Sequence, residues 1–164
     1  MSVMPIQKPG RSEQTVGTPR EFLDAAERWF GKMEFDLAAT RENCVVSTSG
    51  WDHFGPGSCL TSDSLSANWA RLAGNLWLNP PYAKIGPWAK KCAETTLAGE
   101  RKIFMLIPLT TANYALEWIY PHALVIGLNP RIQFVGHDIG FPKDLMLCCY
   151  GYGPGFETWR WKGG

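Results

Sequence analysis

The segment Asn79-Pro80-Pro81-Tyr82 contains residue types that can activate an aromatic amine. An exocyclic amine shares its lone pair with its ring, so it stays a poor nucleophile until two hydrogen-bond acceptors pull it toward tetrahedral geometry. The side-chain oxygen of Asn79 and the carbonyl of Pro80 can each accept one N–H bond, and the locked φ angles of paired prolines fix that carbonyl. Tyr82 can stack on the planar ring. The segment therefore predicts alkylation of a planar amine; the alternative is a rigid turn with Tyr82 packed on the surface.

The residues around this segment indicate where it lies in the fold. The apolar residues 76–78 end abruptly at Asn79, as a buried strand does at the edge of its sheet. A helix is predicted next, with an apolar face made of Trp88, Ala89, Cys92 and Ala93. Because ligands of open α/β sheets bind at the carboxyl ends of the strands, the break after residue 78 is the predicted site.

Further strands and helices alternate along the rest of the chain. Strand-like runs occupy residues 35–38, 102–107, 124–126, 132–135 and 145–150, and a short helix is predicted over residues 113–120. This alternation indicates an α/β fold with a mainly parallel sheet and helices on both faces, and the closely spaced last strands suggest a C-terminal antiparallel hairpin. The segment 40–62 is dense in Gly, Ser, Asn and Pro and is predicted to be a loop.

The first predicted helix begins at a recognisable start signal. Thr18 is expected to be the N-cap residue, with Pro19 at the first helical position and Glu21 closing a capping box. The predicted apolar face comprises Phe22, Ala25, Ala26, Trp29 and Phe30, and Gly31 ends the helix.

Length and composition bound the class of protein. The 164 residues favour one domain, predicted over residues 17–164 after a flexible arm at residues 1–16. A net charge of +1 excludes binding of nucleic acid by bulk charge alone, so such a partner needs a local basic patch. The longest apolar stretches are far shorter than a membrane span of about 20 residues, and no signal-peptide core is seen, so we expect a cytoplasmic protein without a membrane partner.

The cysteine pattern predicts thiols and no metal site. Five cysteines, an odd number, are scattered along the chain and are expected to be reduced. Cys44, His53 and Cys59 lack the paired spacing of a tetrahedral site, so no bound metal is predicted. The neighbours His137 and Asp138 resemble a catalytic pair only in sequence, since adjacent residues rarely face one another.

With these elements in order, the chain resembles the small bacteriophage DNA adenine methyltransferases, the Dam-like family. The matching pieces span about residues 18–150; they are Thr18-Pro19, Phe35-Asp36-Leu37-Ala38-Ala39, Asp63 with Leu65 and Trp69, residues 76–82, Trp88, residues 106–108 and residues 131–134. The resemblance implies a Rossmann-like methyltransferase sheet. It also implies transfer of a methyl group from S-adenosylmethionine to the N6 amine of a flipped adenine in double-stranded DNA.

The resemblance also implies roles for individual residues. Asn79, Pro80, Pro81 and Tyr82 are the expected catalytic segment. The expected cofactor-binding residues are Thr18, Pro19, Asp36, Ala38 and Asp63. Each acidic residue has a simpler interpretation as the cap of a turn or helix. The glycine-rich cofactor loop of larger methyltransferases is missing after residue 38, and the nearest similar sequence is Phe54-Gly55-Pro56-Gly57.

DNA contacts must come from loops, because no separate target-recognition block is visible in the sequence. The main candidates are Lys84, Arg131 and Lys143. Lys90, Lys91 and residues 159–162 are further candidates. A solvated helix face explains Lys90 and Lys91 better than DNA contact does, and the C-terminal aromatics can simply cover a sheet edge.

Three alternatives to this function stay open at the level of sequence. One is the same reaction on the N4 amine of cytosine, and another is an RNA or protein amine substrate. The third is a methyltransferase-like domain that binds nucleic acid or a protein without catalysis. The sequence does not distinguish a monomer from a homodimer.

Overall fold

A computed structural model describes residues 17–136 and 140–163. The predicted arm at residues 1–16 and the pair His137 and Asp138 lie outside the described residues. Within the described ranges the regular elements are α1 (Arg20–Phe30), β1 (Met33–Asp36), β2 (Asn75–Leu78), α2 (Gly86–Leu97), β3 (Lys102–Pro108), α3 (Asn113–Trp118), β4 (Ala123–Asn129), β5 (Leu145–Tyr150) and β6 (Gly155–Arg160). Two short 3₁₀ turns, Ser64–Ser66 and Trp69–Arg71, precede β2.

The six strands form one mixed sheet in the order β1-β2-β3-β5-β4-β6. β1, β2 and β3 are parallel neighbours, and β6 pairs in parallel with β4. Only β5 runs the other way, between β3 and β4. The expected α/β architecture with a mostly parallel sheet is confirmed.

The prediction of a C-terminal antiparallel hairpin is wrong. β5 is antiparallel, but its neighbours are β3 and β4, and β6 pairs in parallel with β4. Residues 132–135 are not a strand, although Ile132 and Phe134 are buried and their two neighbours are exposed, which is the strand-like alternation seen in the sequence. The antiparallel strand β5 lies inside the sheet because all six of its residues are buried, as a strand covered on both faces requires. The glycine-containing and largely exposed β6 takes the edge, where one backbone side needs no partner.

Helices cover both faces of the sheet, as expected. Side chains on one face, including Trp77, Phe104 and Leu147, pack with Phe22 and Leu23 of α1. The other face packs against α2 and α3. The buried residues of α2 are Trp88, Ala89, Cys92 and Ala93, which confirms the face predicted from sequence.

The start of α1 differs from the predicted capping box. Pro19 is the N-cap residue, with an extended ψ of 138°, and its carbonyl accepts the first helical bonds from Phe22 and Leu23. The residue before a proline avoids helical backbone angles, so Thr18 stays outside the helix and no side chain caps it. Trp29, predicted on the apolar face, is 74% exposed, and Leu23 is buried instead.

The segment after β1 extends the sheet laterally without forming a regular strand. Residues 36–41 run beside residues 52–56, and the backbone hydrogen bonds between them include Asp36 to Asp52, Ala39 to Phe54 and Arg41 to Pro56. A single parallel bridge joins Asp36 to His53. The segment 40–62 is therefore a loop, as predicted, but a well-packed one. In the described parts of the chain, no helix is long and apolar enough to cross a membrane.

Gly55 is a position in this loop where backbone atoms leave no room for a side chain. Its φ is +132°, and an added Cβ would overlap the carbonyl oxygen of Ala39. We expect Gly55→Ala to lower the free energy of unfolding by at least about 2 kcal/mol in urea titrations, because backbone atoms must move. The matched control is Gly99→Ala, where no atom lies within 4 Å of the new Cβ. Equal free energies of unfolding for the two variants would contradict the close contact between residue 55 and the Ala39 carbonyl.

Candidate active site

The predicted site lies where β1 and β2 end side by side. Asp36 closes β1 and pairs in register with Trp77 of β2, two residues before Asn79. The ladder continues past β1, since the Leu37 amide donates to the Trp77 carbonyl over 2.8 Å. An acidic side chain and a carboxamide are therefore brought to the same edge of two neighbouring parallel strands, where α/β sheets place their ligands.

Asn79 is anchored on its nitrogen side. Its Nδ2 atom lies 3.4 Å from the hydroxyl oxygen of Thr18, which accepts the hydrogen bond. Asn79 and Pro81 are half-buried and Pro80 is buried, so the start of the segment is held between the sheet and the residue before α1. With the nitrogen engaged, the amide oxygen is the end of this side chain left to accept a hydrogen bond from a ligand.

Tyr82 belongs to a group of three aromatic rings at this edge. Its ring centroid lies 5.6 Å from that of Phe141 and 6.5 Å from that of Phe134, both at steep angles. The Tyr82 hydroxyl donates to the carbonyl of Leu106 in β3 over 3.2 Å, which fixes the ring relative to the sheet. Tyr82 is half-buried, and so is Phe141, so the group forms a partly open aromatic wall.

The sequence analysis named neither Phe134 nor Phe141 as a site residue. Phe134 occurs in a run misjudged as a strand, and Phe141 directly follows Gly140. The available signal was weak: two large aromatic residues in a segment otherwise rich in polar residues and glycine. Only the fold shows that this segment returns to the end of the Asn-Pro-Pro-Tyr segment.

Arg131 stabilises the segment that contains Phe141 through an ion pair and a hydrogen bond. Its Nε atom lies 3.0 Å from the Asp144 carboxylate, and an Nη atom donates to the Pro142 carbonyl over 3.2 Å. The Phe141 amide donates to the Ile132 carbonyl over 2.8 Å. Arg131 is predicted from sequence to bind DNA; the structure gives it contacts within the protein, which place it beside the aromatic wall.

A cavity of about 540 Å³ opens beside the start of α1. Its volume lies within the range of small-molecule sites. Thr18 lines it, so the residue that anchors Asn79 also faces this space; the other lining residues are Gly17, Arg20, Leu23, Thr40, Glu42, Asn43, Cys44, Val45 and Val135. Asp36 does not line the cavity, but the amide of the lining residue Val45 donates to an Asp36 carboxylate oxygen over 3.1 Å.

Asp36 is an acidic group in a buried environment. Its other carboxylate oxygen accepts a 3.2 Å hydrogen bond from the Ala38 amide, and its side chain forms no ion pair within the described residues. Burial raises the pKa of the Asp36 carboxyl to about 7, although the two backbone N–H bonds lower it. The same burial effect, followed by the nearby Asp36 charge, raises the pKa of the Cys44 thiol. Among the described residues, the site thus contains a buried acidic group without an ion-pair partner.

The Asp36 carboxyl should make the stability of the protein depend on pH. In the unfolded chain it titrates near its ordinary pKa of 3.8, so between about pH 4 and pH 7 the folded state binds the proton more tightly. Stability contributed by this group is therefore lost as the pH rises through that window. Because Asp36→Asn cannot ionise, we expect its melting temperature relative to that of the wild type to be at least about 3 °C higher at pH 8 than at pH 5, since 1 kcal/mol corresponds to about 2–4 °C at this chain length.

The control for this prediction is pH 5, where the wild-type carboxyl is mostly protonated in the folded state. At pH 5 the comparison therefore reports only the replacement of one carboxyl oxygen by an amide nitrogen, which cannot accept the backbone N–H bond that this oxygen accepts. A difference that is the same at pH 5 and pH 8 would contradict the assignment of the pH dependence to Asp36.

Asp63 is not brought into this group of residues. It is exposed at the N-cap position of the first 3₁₀ turn, and its carboxylate accepts a 2.6 Å hydrogen bond from the Ser66 hydroxyl. This contact agrees with its simpler interpretation as a turn residue. Within the described ranges, no hydrogen bond joins Asp63 to Thr18, Asp36 or Asn79.

Some basic candidates for DNA contact are exposed, and others contact residues of the protein itself. Lys84, in the turn after Tyr82, and Lys143, two residues after Phe141, are both exposed and flank the aromatic wall in sequence. Lys91 donates to the Leu65 carbonyl over 2.8 Å, and Lys90 lies over the Trp118 ring. The C-terminal aromatics also have protein partners: the Trp161 and Trp159 rings pack on Phe22, and the Trp161 indole donates to the Pro130 carbonyl.

Comparison with known proteins identifies the family of the chain. The family model described as DNA N-6-adenine-methyltransferase (Dam) matches residues 8–145. The DNA N-6-adenine-methyltransferase of Escherichia phage T1 is 31% identical over 101 residues, which cover 62% of this chain and 37% of that relative. The match thus spans less than two-fifths of the length of the phage protein. No solved structure matches the chain. Because the family model covers most of the sequence, the chain belongs to the DNA N-6-adenine-methyltransferase (Dam) family.

Proposed function

We propose that this protein transfers a methyl group from S-adenosylmethionine to the N6 amine of an adenine in double-stranded DNA. The observation that carries the proposal is the placement of Asn79 at the carboxyl end of β2, beside the buried acid Asp36 and bonded to Thr18 on the wall of the cavity. This arrangement puts an acceptor for the target amine next to a space for a small molecule. Family membership supports adenine as the target base and disfavours cytosine.

In this proposal the catalytic segment prepares the amine for attack. The oxygen of Asn79 and the carbonyl of Pro80 accept the two N–H bonds of the amine, while Pro81 keeps the turn rigid. The lone pair of the amine nitrogen then points out of the ring plane. No general base is required, because the amine is strongly acidic once it has been methylated and releases its proton to water.

Tyr82 holds the adenine ring in this arrangement. A base inside a duplex cannot reach the sheet edge, so it must be flipped out at a cost of a few kcal/mol. Stacking on an aromatic residue recovers about 1–3 kcal/mol per base. Phe141 and Phe134 limit the orientation of the Tyr82 ring, because both meet it at steep angles. We assign Phe141, which is half-buried, as the second aromatic boundary of the base site.

The cofactor residues proposed are Thr18, Pro19, Asp36, Ala38 and Asp63. S-adenosylmethionine supplies a methyl group on a positively charged sulfur and also carries an ammonium group. Two observations support a ligand of this kind: Thr18 lines the cavity, and the buried acid Asp36, which has no ion-pair partner among the described residues, is hydrogen-bonded to the lining residue Val45. Ala38 adds little bulk beside Asp36. Asp63 is the weakest member of the set, since its described contact is with Ser66.

Lys84 and Lys143 are the proposed phosphate contacts, together with Arg131 where the Asp144 carboxylate leaves part of its guanidinium available. Each lies close in sequence to a residue of the aromatic wall, so phosphates held there would bring the flipped nucleotide to Tyr82. We further propose that residues 17–164 act as one catalytic domain built on a Rossmann-like methyltransferase sheet. The parallel β1-β2-β3 unit, with the site at its carboxyl edge, supports this assignment.

The proposal can be tested by expressing the chain in cells whose DNA carries no N6-methyladenine. Their DNA is isolated, digested to nucleosides and analysed by mass spectrometry. We expect N6-methyldeoxyadenosine in these cells and none in cells that express Asn79→Ala at the same level. N4-methyldeoxycytidine would instead support the cytosine alternative. Unmodified DNA, with no rise in the melting temperature of the purified protein on adding S-adenosylmethionine, would support the alternative of a binding domain without catalysis.

A further inference from the structure

Thr18 and Asn79 are far apart in sequence and joined in the fold. The Thr18 hydroxyl accepts the hydrogen bond from the Asn79 side-chain nitrogen over 3.4 Å. Thr18 is only 9% exposed, so little water competes for this contact. We propose that Thr18 is a positioning residue for methyl transfer, which holds the Asn79 amide with its oxygen toward the target amine. The inference deepens the proposed function and rests on it.

An amide needs such a partner because its two ends have opposite hydrogen-bonding character. The oxygen of Asn79 accepts hydrogen bonds, whereas its nitrogen only donates them. The target amine presents N–H donors in the plane of its ring, so it is oriented only when the amide oxygen faces it. A hydroxyl can accept, and Thr18 therefore satisfies the amide nitrogen in the productive orientation. Without that partner, a half-buried N–H group is left unsatisfied and the amide can rotate about its Cβ–Cγ bond.

Both partners are attached to rigid parts of the fold. Thr18 precedes Pro19, whose φ is fixed at −65° and whose carbonyl accepts the first two hydrogen bonds of α1. Those bonds come from Phe22 and Leu23, which are buried against the sheet. Asn79 directly follows the fully buried Leu78 at the end of β2. A site built on rigid elements holds its geometry more accurately than one built on loops.

A simpler role for Thr18 is to line the cavity and contact the cofactor directly. The two roles affect different measurements. A cofactor contact alone changes the dissociation constant of the cofactor. If Thr18 positions Asn79, removing the Thr18 hydroxyl changes the turnover number at saturating cofactor and DNA. The same removal has no further effect in a protein that already lacks the Asn79 amide.

The test compares Thr18→Val, which keeps the shape of threonine without the hydroxyl, with Thr18→Ser, which keeps the hydroxyl. At saturating cofactor and duplex DNA, we expect kcat to fall about tenfold in Thr18→Val and by less than about threefold in Thr18→Ser. Combined with Asn79→Ala, Thr18→Val should cause no additional loss of kcat. If Thr18→Val does not fold, Thr18→Ala carries the same expectation.

A second readout needs no turnover. In protein labelled with ¹⁵N-asparagine, the side-chain NH₂ signal of Asn79 can be assigned by its loss in Asn79→Ala. Thr18→Val should shift this signal and speed its exchange with water, while Thr18→Ser should preserve it. An unchanged Asn79 signal in Thr18→Val, or an unchanged kcat with only a weaker dissociation constant for the cofactor, would overturn the positioning role. A wild-type protein that transfers no methyl group would overturn the proposed function, and the positioning role with it.

Discussion

Replacing Asn79 with alanine is expected to lower the rate of methyl transfer at least about a hundredfold while the protein stays folded. In the proposed function, Asn79 supplies one of the two acceptors for the N–H bonds of the target amine. Loss of one preorganised hydrogen-bonding group in an active site costs about 10²–10³ in turnover. The measurement is single-turnover transfer of labelled methyl groups to duplex DNA, with circular dichroism and melting temperature used to verify the fold.

Two variants control this result. Asn79→Asp keeps an acceptor oxygen and should retain more activity than Asn79→Ala. Asn113→Ala removes an exposed asparagine at the start of α3 and should transfer methyl groups at the wild-type rate. A loss of tenfold or less in a folded Asn79→Ala protein would contradict the assignment of Asn79 as the residue that orients the amine.

Replacing Tyr82 with alanine is the second change with a large expected effect. Stacking of one base contributes about 1–3 kcal/mol, so kcat/KM on duplex DNA should fall about 10- to 100-fold. Tyr82→Phe retains the ring and loses only the 3.2 Å hydrogen bond to Leu106, and we expect it to lose less than about fivefold. The large expected loss in Tyr82→Ala is due to the missing ring, and the small expected loss in Tyr82→Phe is due to the missing hydroxyl.

Tyr82 also packs against buried side chains on both faces of the sheet, so its role in base binding needs a measurement that does not depend on stability. Duplex DNA with 2-aminopurine at the target adenine becomes fluorescent when that base leaves the stack. The wild type and Tyr82→Phe should both produce this signal at saturating protein, and Tyr82→Ala should produce much less. The control is Tyr152→Ala, which removes a tyrosine ring that packs on Phe30 near the end of α1 and does not belong to the aromatic wall. This variant should give the same fluorescence as the wild type. Equal fluorescence with Tyr82→Ala and the wild type would show that Tyr82 does not hold the flipped base.

The parts of the fold that the sequence predicted correctly have strong local patterns. The apolar residues before Asn79 and the four buried residues of α2 both follow from hydrophobic periodicity, and both are found in the structure. Residues 132–135 show the opposite case. Their alternating burial satisfies a strand pattern, but their backbone contacts are isolated bonds from Phe141 to Ile132 and from Val135 to Gly17. Alternation indicates which side chains are buried and does not show which backbone groups pair.

The sheet order could not be obtained from local patterns. β5 and β6 follow one another in sequence, yet β5 lies between β3 and β4 while β6 pairs with the far side of β4. Burial of every residue in β5 explains its interior position only once the neighbouring strands are known. β6 was not predicted, because it contains glycine and polar residues and therefore lacks the apolar pattern of a buried strand.

The candidate site shows the same division between local and long-range information. Sequence alone led to Asn79 and Tyr82, because their chemistry is contained in four consecutive residues. Thr18 was assigned to a capping box that the structure does not contain, since its hydroxyl faces a residue 61 positions away. The sequence did not indicate Phe141 as a site residue, because its place in the site depends on its contact with Tyr82. Long-range contacts of this kind leave no periodic signal in the sequence.

The central claim is that this chain methylates adenine in DNA through Asn79. The most direct measurement mixes the purified protein with S-adenosylmethionine labelled in the methyl group and with unmethylated duplex DNA, then digests the DNA and separates its nucleosides. The account predicts that the label appears in N6-methyldeoxyadenosine with the wild type and is lost with Asn79→Ala. Label found in another nucleoside, or equal label in N6-methyldeoxyadenosine with the two proteins, would contradict it.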